Sequence, residues 1–179
     1  MGCGPQHPAA EAPAASALTE PAPQYQALQH GARGLAVGPA HSDYTVYVLF
    51  DPQCLHCARL WQESQPLRAT VRFVWVPVSF FDSRSAAQGA ALLAASAPQA
   101  ALDKLCAAVL ARSPLPSVPE HGAAELEAAV KANTELIGRF RVLGVPYIVA
   151  RNQTTSAYVA HAGGMSRESL TRFLGLGSR

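Results

Sequence analysis

The sequence predicts an α/β domain in which a β-α-β unit and a β-β-α unit are separated by a helical insertion. Three features predict it. Two runs rich in β-branched and aromatic residues, 44–50 and 71–81, bracket a stretch whose apolar residues recur at helical spacing. The block from about 84 to 140 is Ala-rich and carries no strand alternation. Strand-like sequence returns only from Gly144. At 179 residues the chain is about one domain long, and large enough to bury a core without disulfide staples.

Taken in order, the first thirty residues carry Pro5, Pro8, Pro13, Pro21 and Pro23 among alanines. Repeated proline opposes both helix and ladder, so residues 1–30 are expected to be a flexible tether and 31–179 the folded domain. No charged and apolar leader precedes Met1-Gly2-Cys3 as written. If a secretion signal was removed, Cys3 could be the lipid-carrying residue of a bacterial lipoprotein. Tyr44 to Phe50 suits a strand buried on both faces. Asp51-Pro52 ends it, and Leu55, Ala58, Leu60, Trp61 and Leu67 mark a helix closed by Pro66. Val71 to Phe81 is the second central strand, expected to be parallel to the first. Helices follow at 85–97 and 98–111, then Pro114, Pro116 and Pro119 interrupt, and a third begins near Ala123. Asn133-Thr134-Glu135 can cap a further helix carrying Leu136, Ile137 and Phe140. A strand at 144–150 pairs with one at 158–161 across Asn152-Gln153-Thr154. Ser166 then caps a terminal helix lined by Leu170, Phe173 and Leu174.

Composition removes several functions. Hydrophobic residues at 49% and charged residues at 15% exclude wholesale disorder. The net charge of +2, from 14 basic and 12 acidic residues, offers no field to grip nucleic acid or an anionic membrane. No run of about 18 apolar residues occurs. Four cysteines are too few for a disulfide scaffold. His7, His30, His41, His121 and His161 fall in no metal-ligand spacing, so no metal is expected.

Cys54 and Cys57 carry the chemistry. Placed after a strand and at the first turn of a helix, two sulfurs at i and i+3 can meet in a small ring. The helix N-terminus favours a thiolate at the first of them. Cys54 is therefore the expected nucleophile, Cys57 the resolving thiol, and His56 a group that lowers the thiolate pKa further. A zinc site would need two more ligands, and a purely structural bridge of this length would close almost no loop. The pair needs no dissociable cofactor. Cys106, alone on an Ala-rich helix, reads as a small buried apolar residue. Asp51 could shuttle a proton or tune the thiols, or simply supply charge at a helix start. In Gly144-Val145-Pro146-Tyr147 a cis X–Pro bond at a strand start is plausible. The Val145 backbone groups would then be free to pair with an extended substrate.

Phe50 through Cys57, Pro77-Val78 followed by Ser85-Ala86-Ala87, and Asn133 to Leu136 followed by Leu143 to Pro146 resemble the bacterial periplasmic disulfide isomerases DsbC and DsbG. The resemblance covers about residues 35–176. It implies a thioredoxin fold and a dithiol that exchanges disulfides with unfolded or misbridged secreted proteins. A membrane redox partner and a periplasmic location are implied with it. Only the Pro/Ala segment stands where those isomerases carry a dimerisation domain, so a monomer is expected. Val145 and His56 look instead like the oxidase DsbA and point toward a more oxidising pair. A monomeric DsbA-like oxidase is thus the alternative enzyme. A thioredoxin-fold chaperone or metal-delivery module is the alternative outside enzymes.

Overall fold

The structure, a computed structural model, describes residues 20–42, 44–116 and 124–177. Its elements run α1 (Pro21–Gly31), β1 (Leu35–Val37), β2 (Thr45–Phe50), α2 (Leu55–Glu63), a short 3-10 turn (Gln65–Ala69) and β3 (Arg72–Pro77). They continue with α3 (Ser83–Leu93), α4 (Pro98–Leu110), α5 (Ala124–Arg139), β4 (Tyr147–Arg151), β5 (Tyr158–Ala162) and α6 (Arg167–Phe173). The strands form one sheet in the order β1-β3-β2-β4-β5. β2 and β3 are parallel, and the β1–β3, β2–β4 and β4–β5 pairs are antiparallel. The α3–α5 block lies between β3 and β4 in the chain, as the Ala-rich composition predicts.

Strand alternation divides the core into two layers. Val46, Val48 and Phe50, with Phe73, Trp75, Ile148 and Ala150, face a cluster that includes Trp61 of α2, Leu102 and Leu105 of α4, and Leu170 of α6. Tyr47, Leu49, Val76 and Val149 face the other, with Tyr25 and Leu28 of α1 and Leu136, Ile137 and Phe140 of the α5 end. Both faces of the sheet are covered. That is why the central strands read as continuous apolar runs rather than as alternation.

Three expectations need correction. Residues 21–30, assigned to the tether, form most of α1. Pro21 and Pro23 sit in its first turn, where the N–H they lack has no intrahelical acceptor. Gln24, Tyr25 and Leu28 are buried, and the Tyr25 ring meets Tyr47 at 5.2 Å and Tyr158 at 5.1 Å. Second, Asn133 caps nothing, because α5 runs unbroken through it. Its amide donates to the carbonyls of Arg33 and Pro77 (2.8 and 3.0 Å), and its oxygen accepts from the Arg33 N–H (3.1 Å). Third, β4 begins at Tyr147, so Gly144-Val145-Pro146 is a loop leading into the strand. The β1 strand was not foreseen. Cys3 and the remainder of the expected tether lie outside the described residues.

Candidate active site

Phe50 pairs with Pro77, Leu49 with Tyr147, and Tyr147 with Ala162. The last residues of β2, β3 and β5 and the first of β4 therefore share one end of the sheet. The segments leaving that end are 51–54, 78–82, 143–146 and 163–165, and all converge on α2. The Asp51 carbonyl accepts the Cys54 N–H at 3.0 Å, closing a turn that hands the chain to the helix. Cys54 takes the N-cap position, with extended backbone (φ −82°, ψ 117°), and its Sγ accepts the Cys57 N–H at 3.3 Å. A side chain that would usually be Ser, Thr or Asp at this position is here a thiol.

The two sulfurs are set apart by their surroundings. Cys54 is pulled down to about 7, first by a hydrogen bond from the Cys57 thiol, then by the backbone N–H groups of Cys57 and His56; burial and the Asp51 charge oppose this. The Cys57 thiol is pushed well above its ordinary value, mainly by burial and by its position beside Cys54. Cys54 can therefore be a thiolate near neutral pH while Cys57 keeps its proton. The Cys54 thiol also lies 3.6 Å from the Val145 carbonyl, to which it donates. That carbonyl, expected to be free for substrate, is occupied when Cys54 is protonated. The Val145–Pro146 peptide bond is cis, and the Pro146 carbonyl accepts the Gly163 N–H at 2.8 Å.

Asp51 is only 1% exposed and accepts four hydrogen bonds. Oδ1 takes the Gln53 N–H and the Ser85 hydroxyl, both at 2.8 Å, and Oδ2 takes the N–H groups of Phe80 and Phe81 at 2.8 and 3.0 Å. The Gln53 amide donates onward to Ser85 Oγ and to Asp82 Oδ1. A carboxylate so enclosed is a strut. It binds the turn before Cys54 to the loop after β3 and to the start of α3. Its charge still raises both cysteines.

The sequence-derived residues Asp51, Cys54, His56, Cys57, Val145 and Pro146 do come together at this end of the sheet. His56 acts on Cys54 through its backbone N–H, and the residue itself is exposed. Gln53, Phe80, Phe81 and Ser85 were missed. Three of the four partners of Asp51 lie 29, 30 and 34 positions along the chain, beyond any local spacing signal. Cys106 is buried in the layer that holds the pair, and burial pushes its thiol up to about 12. Among the described residues, no three His, Cys, Asp or Glu side chains gather as a metal site would require.

No family profile and no curated protein sequence matches the chain. Solved structures do. The thiol-disulfide exchange protein α-DsbA2 from Wolbachia pipientis superposes with a TM-score of 0.67 at 14% identity, covering 92% of this chain and 98% of that one. A periplasmic thioredoxin-like protein from Salmonella enterica serovar Typhimurium gives 0.63 at 17% identity over 84% and 93%. The fold is thioredoxin-like. The catalytic domain of Proteus mirabilis ScsC gives 0.59 at 16% identity over 89% and 96%. The thioredoxin-like fold accounts for the β-α-β and β-β-α halves, with α3–α5 as the helical block between them.

Proposed function

We propose that this chain catalyses thiol–disulfide exchange on cysteine-bearing secreted proteins in the periplasm. It works from its reduced dithiol, as an isomerase or reductase of DsbG-like type, and acts as a monomer. The carrying observation is the asymmetry of the pair: Cys54 at the N-cap of α2 is pulled down to about 7, whereas the buried Cys57 thiol is pushed up. The Cys54 thiolate attacks one sulfur of a substrate disulfide, and the S–S bond breaks. The departing sulfur takes up a proton, leaving a mixed disulfide on Cys54. Cys57 then loses its proton and attacks Sγ of Cys54. The substrate's second thiol leaves, and the pair has given up two electrons. In isomerisation a substrate thiolate displaces Cys54 instead, with no net electron transfer. A membrane redox partner returns the pair to the dithiol. No other cofactor takes part.

A first-cysteine pKa near 7 is that of a thioredoxin-type nucleophile, and the strongly oxidising DsbA sits near ~3.5. The Asp51 charge, which raises Cys54, supports the same side. Equilibration in glutathione buffers should give a reversible two-electron couple between the roughly −270 mV of thioredoxin and the roughly −180 mV of protein disulfide isomerase. A value near the oxidising end would instead assign the alternative, a DsbA-like oxidase. Absence of any couple would remove the enzymatic reading, and exchange that survives Cys54→Ala would remove Cys54 as its nucleophile.

A further inference from the structure

We propose that α1 holds the loop before β4 from the far side of the sheet, through a hydrogen bond between Gln24 and Tyr147, and that these two are positioning residues for polypeptide substrates. The inference rests on the exchange reaction above and adds how that loop keeps its place while the reaction runs.

Three successive residues at this end of the sheet are each tied to a different part of the chain. The Val145 carbonyl accepts the Cys54 thiol at 3.6 Å, at the start of α2. The Pro146 carbonyl accepts the Gly163 N–H at 2.8 Å, from the segment after β5. The Tyr147 hydroxyl donates to Gln24 Oε1 at 2.7 Å, on α1. The last tie belongs to the other layer of the core. Cys54 and Cys57 lie in the cluster with Trp61 and Leu102, whereas Tyr147 packs in the second cluster with Tyr25 and Leu28 of α1. Gln24 is 1% exposed and Tyr147 8%, so water competes little for their bond. α1 is itself seated by Tyr25, whose ring meets Tyr47 of β2 and Tyr158 of β5.

The reaction makes these ties unequal. The bond from Cys54 needs the thiol proton. That proton is absent from the thiolate that attacks and from the mixed disulfide that follows. The Val145 carbonyl is therefore released at the stage when an extended substrate would pair with it. The loop must then be held by the ties at Pro146 and Tyr147. Tyr147 is the first residue of β4, so the ladder supports the chain beyond it and not the residues before it. Of the two remaining ties, the one at Gly163 is backbone to backbone, and the one at Gln24 is made by side chains. A polypeptide that pairs with the Val145 backbone depends on where the loop sits. A disulfide without a peptide backbone does not.

The test mixes full-length, pre-reduced protein with rising excess of two disulfides in turn. One is a symmetric peptide disulfide with its cysteine central in seven residues, and the other is bis(2-hydroxyethyl) disulfide. Acid-quenched time points resolved by chromatography give a second-order rate constant for each and the half-saturating peptide concentration. Gln24→Leu and Tyr147→Phe should each lower the peptide-to-small-disulfide ratio of rate constants about fivefold, the weight of one hydrogen bond. The half-saturating peptide concentration should rise in step. The Gln24→Leu/Tyr147→Phe double variant should fall no further, because both changes remove the same bond. A change that only loosens the fold removes active protein for both disulfides alike and leaves the ratio where it was. A ratio kept by both single variants overturns the role of α1. So does a double variant whose loss is the product of the two single losses. A wild type that reduces neither disulfide overturns the exchange reading itself.

Discussion

Cys54 and Cys57 are the same residue type, and the chain makes them different acids by where it puts them. One receives N–H groups and a neighbouring thiol at a helix start, and the other is buried behind it. Only the thiolate is nucleophilic, so alkylation of the reduced protein by iodoacetamide should fall on Cys54. Its rate should rise with pH about a midpoint near 7, and peptide mapping should find Cys57 unmodified across that range. Asp51 gives a second prediction. In Asp51→Asn an NH₂ group replaces one of two oxygens that each accept two donors. Leaving buried donors unmatched should cost at least about 2 kcal/mol in urea unfolding. Because the carboxylate charge raises Cys54, the same variant should shift the alkylation midpoint further down. A midpoint that stays put would show that the charge is fully screened.

At the scale of elements, what could be read from sequence was whatever is local. β2, α2 and β3 were legible because strand runs and helical spacing each repeat within a few residues. The Cys54-x-x-Cys57 pair was legible because its geometry is set by the helix it opens. The α1 helix was not, since proline was counted as a breaker although its position in the first turn removes the penalty. The continuity of α5 was hidden for the opposite reason. Asn133 and Thr134 look like a cap until their partners arrive from Arg33, Pro77 and Ser79, far away in the chain. β1 is three residues long and has no period to detect. The strut role of Asp51 needed the loop after β3 in place. The helix that was missed is nonetheless part of the core. Leu28 of α1 is buried against the sheet, and Leu28→Ala should lower the unfolding free energy by about 2–4 kcal/mol. A change below about 0.5 kcal/mol in urea denaturation would mean that α1 adds little to the fold.

For the whole molecule, the redox state should set how stability responds to pH. In the reduced protein Cys54 is a stronger acid than it is when unfolded. It contributes stability above the ordinary thiol value of about 8.5, and that contribution is lost as pH falls through about 7. Cys57 has the opposite sign: its raised value costs stability once the unfolded thiol would ionise. The oxidised protein carries neither proton. The melting temperature of the reduced form, measured relative to the oxidised form, should therefore climb between pH 7 and about 8.5 and decline at higher pH. A flat difference across that range would show that the two environments do not persist in solution. Cys106 is common to both forms and should cancel.

That third thiol has a consequence for the chain's own maturation. In the finished protein Cys106 is sealed behind Trp61 and Leu102 in the layer that holds the working pair, and it is too weak an acid to enter exchange. Before the layer closes, nothing distinguishes it from Cys54 and Cys57: these are ordinary thiols in an open chain of four cysteines, and any two can bridge. Correct pairing then depends on order, with the core sealing Cys106 away before an oxidant arrives. A newly made copy that meets an oxidant too early would itself become a misbridged protein in need of repair.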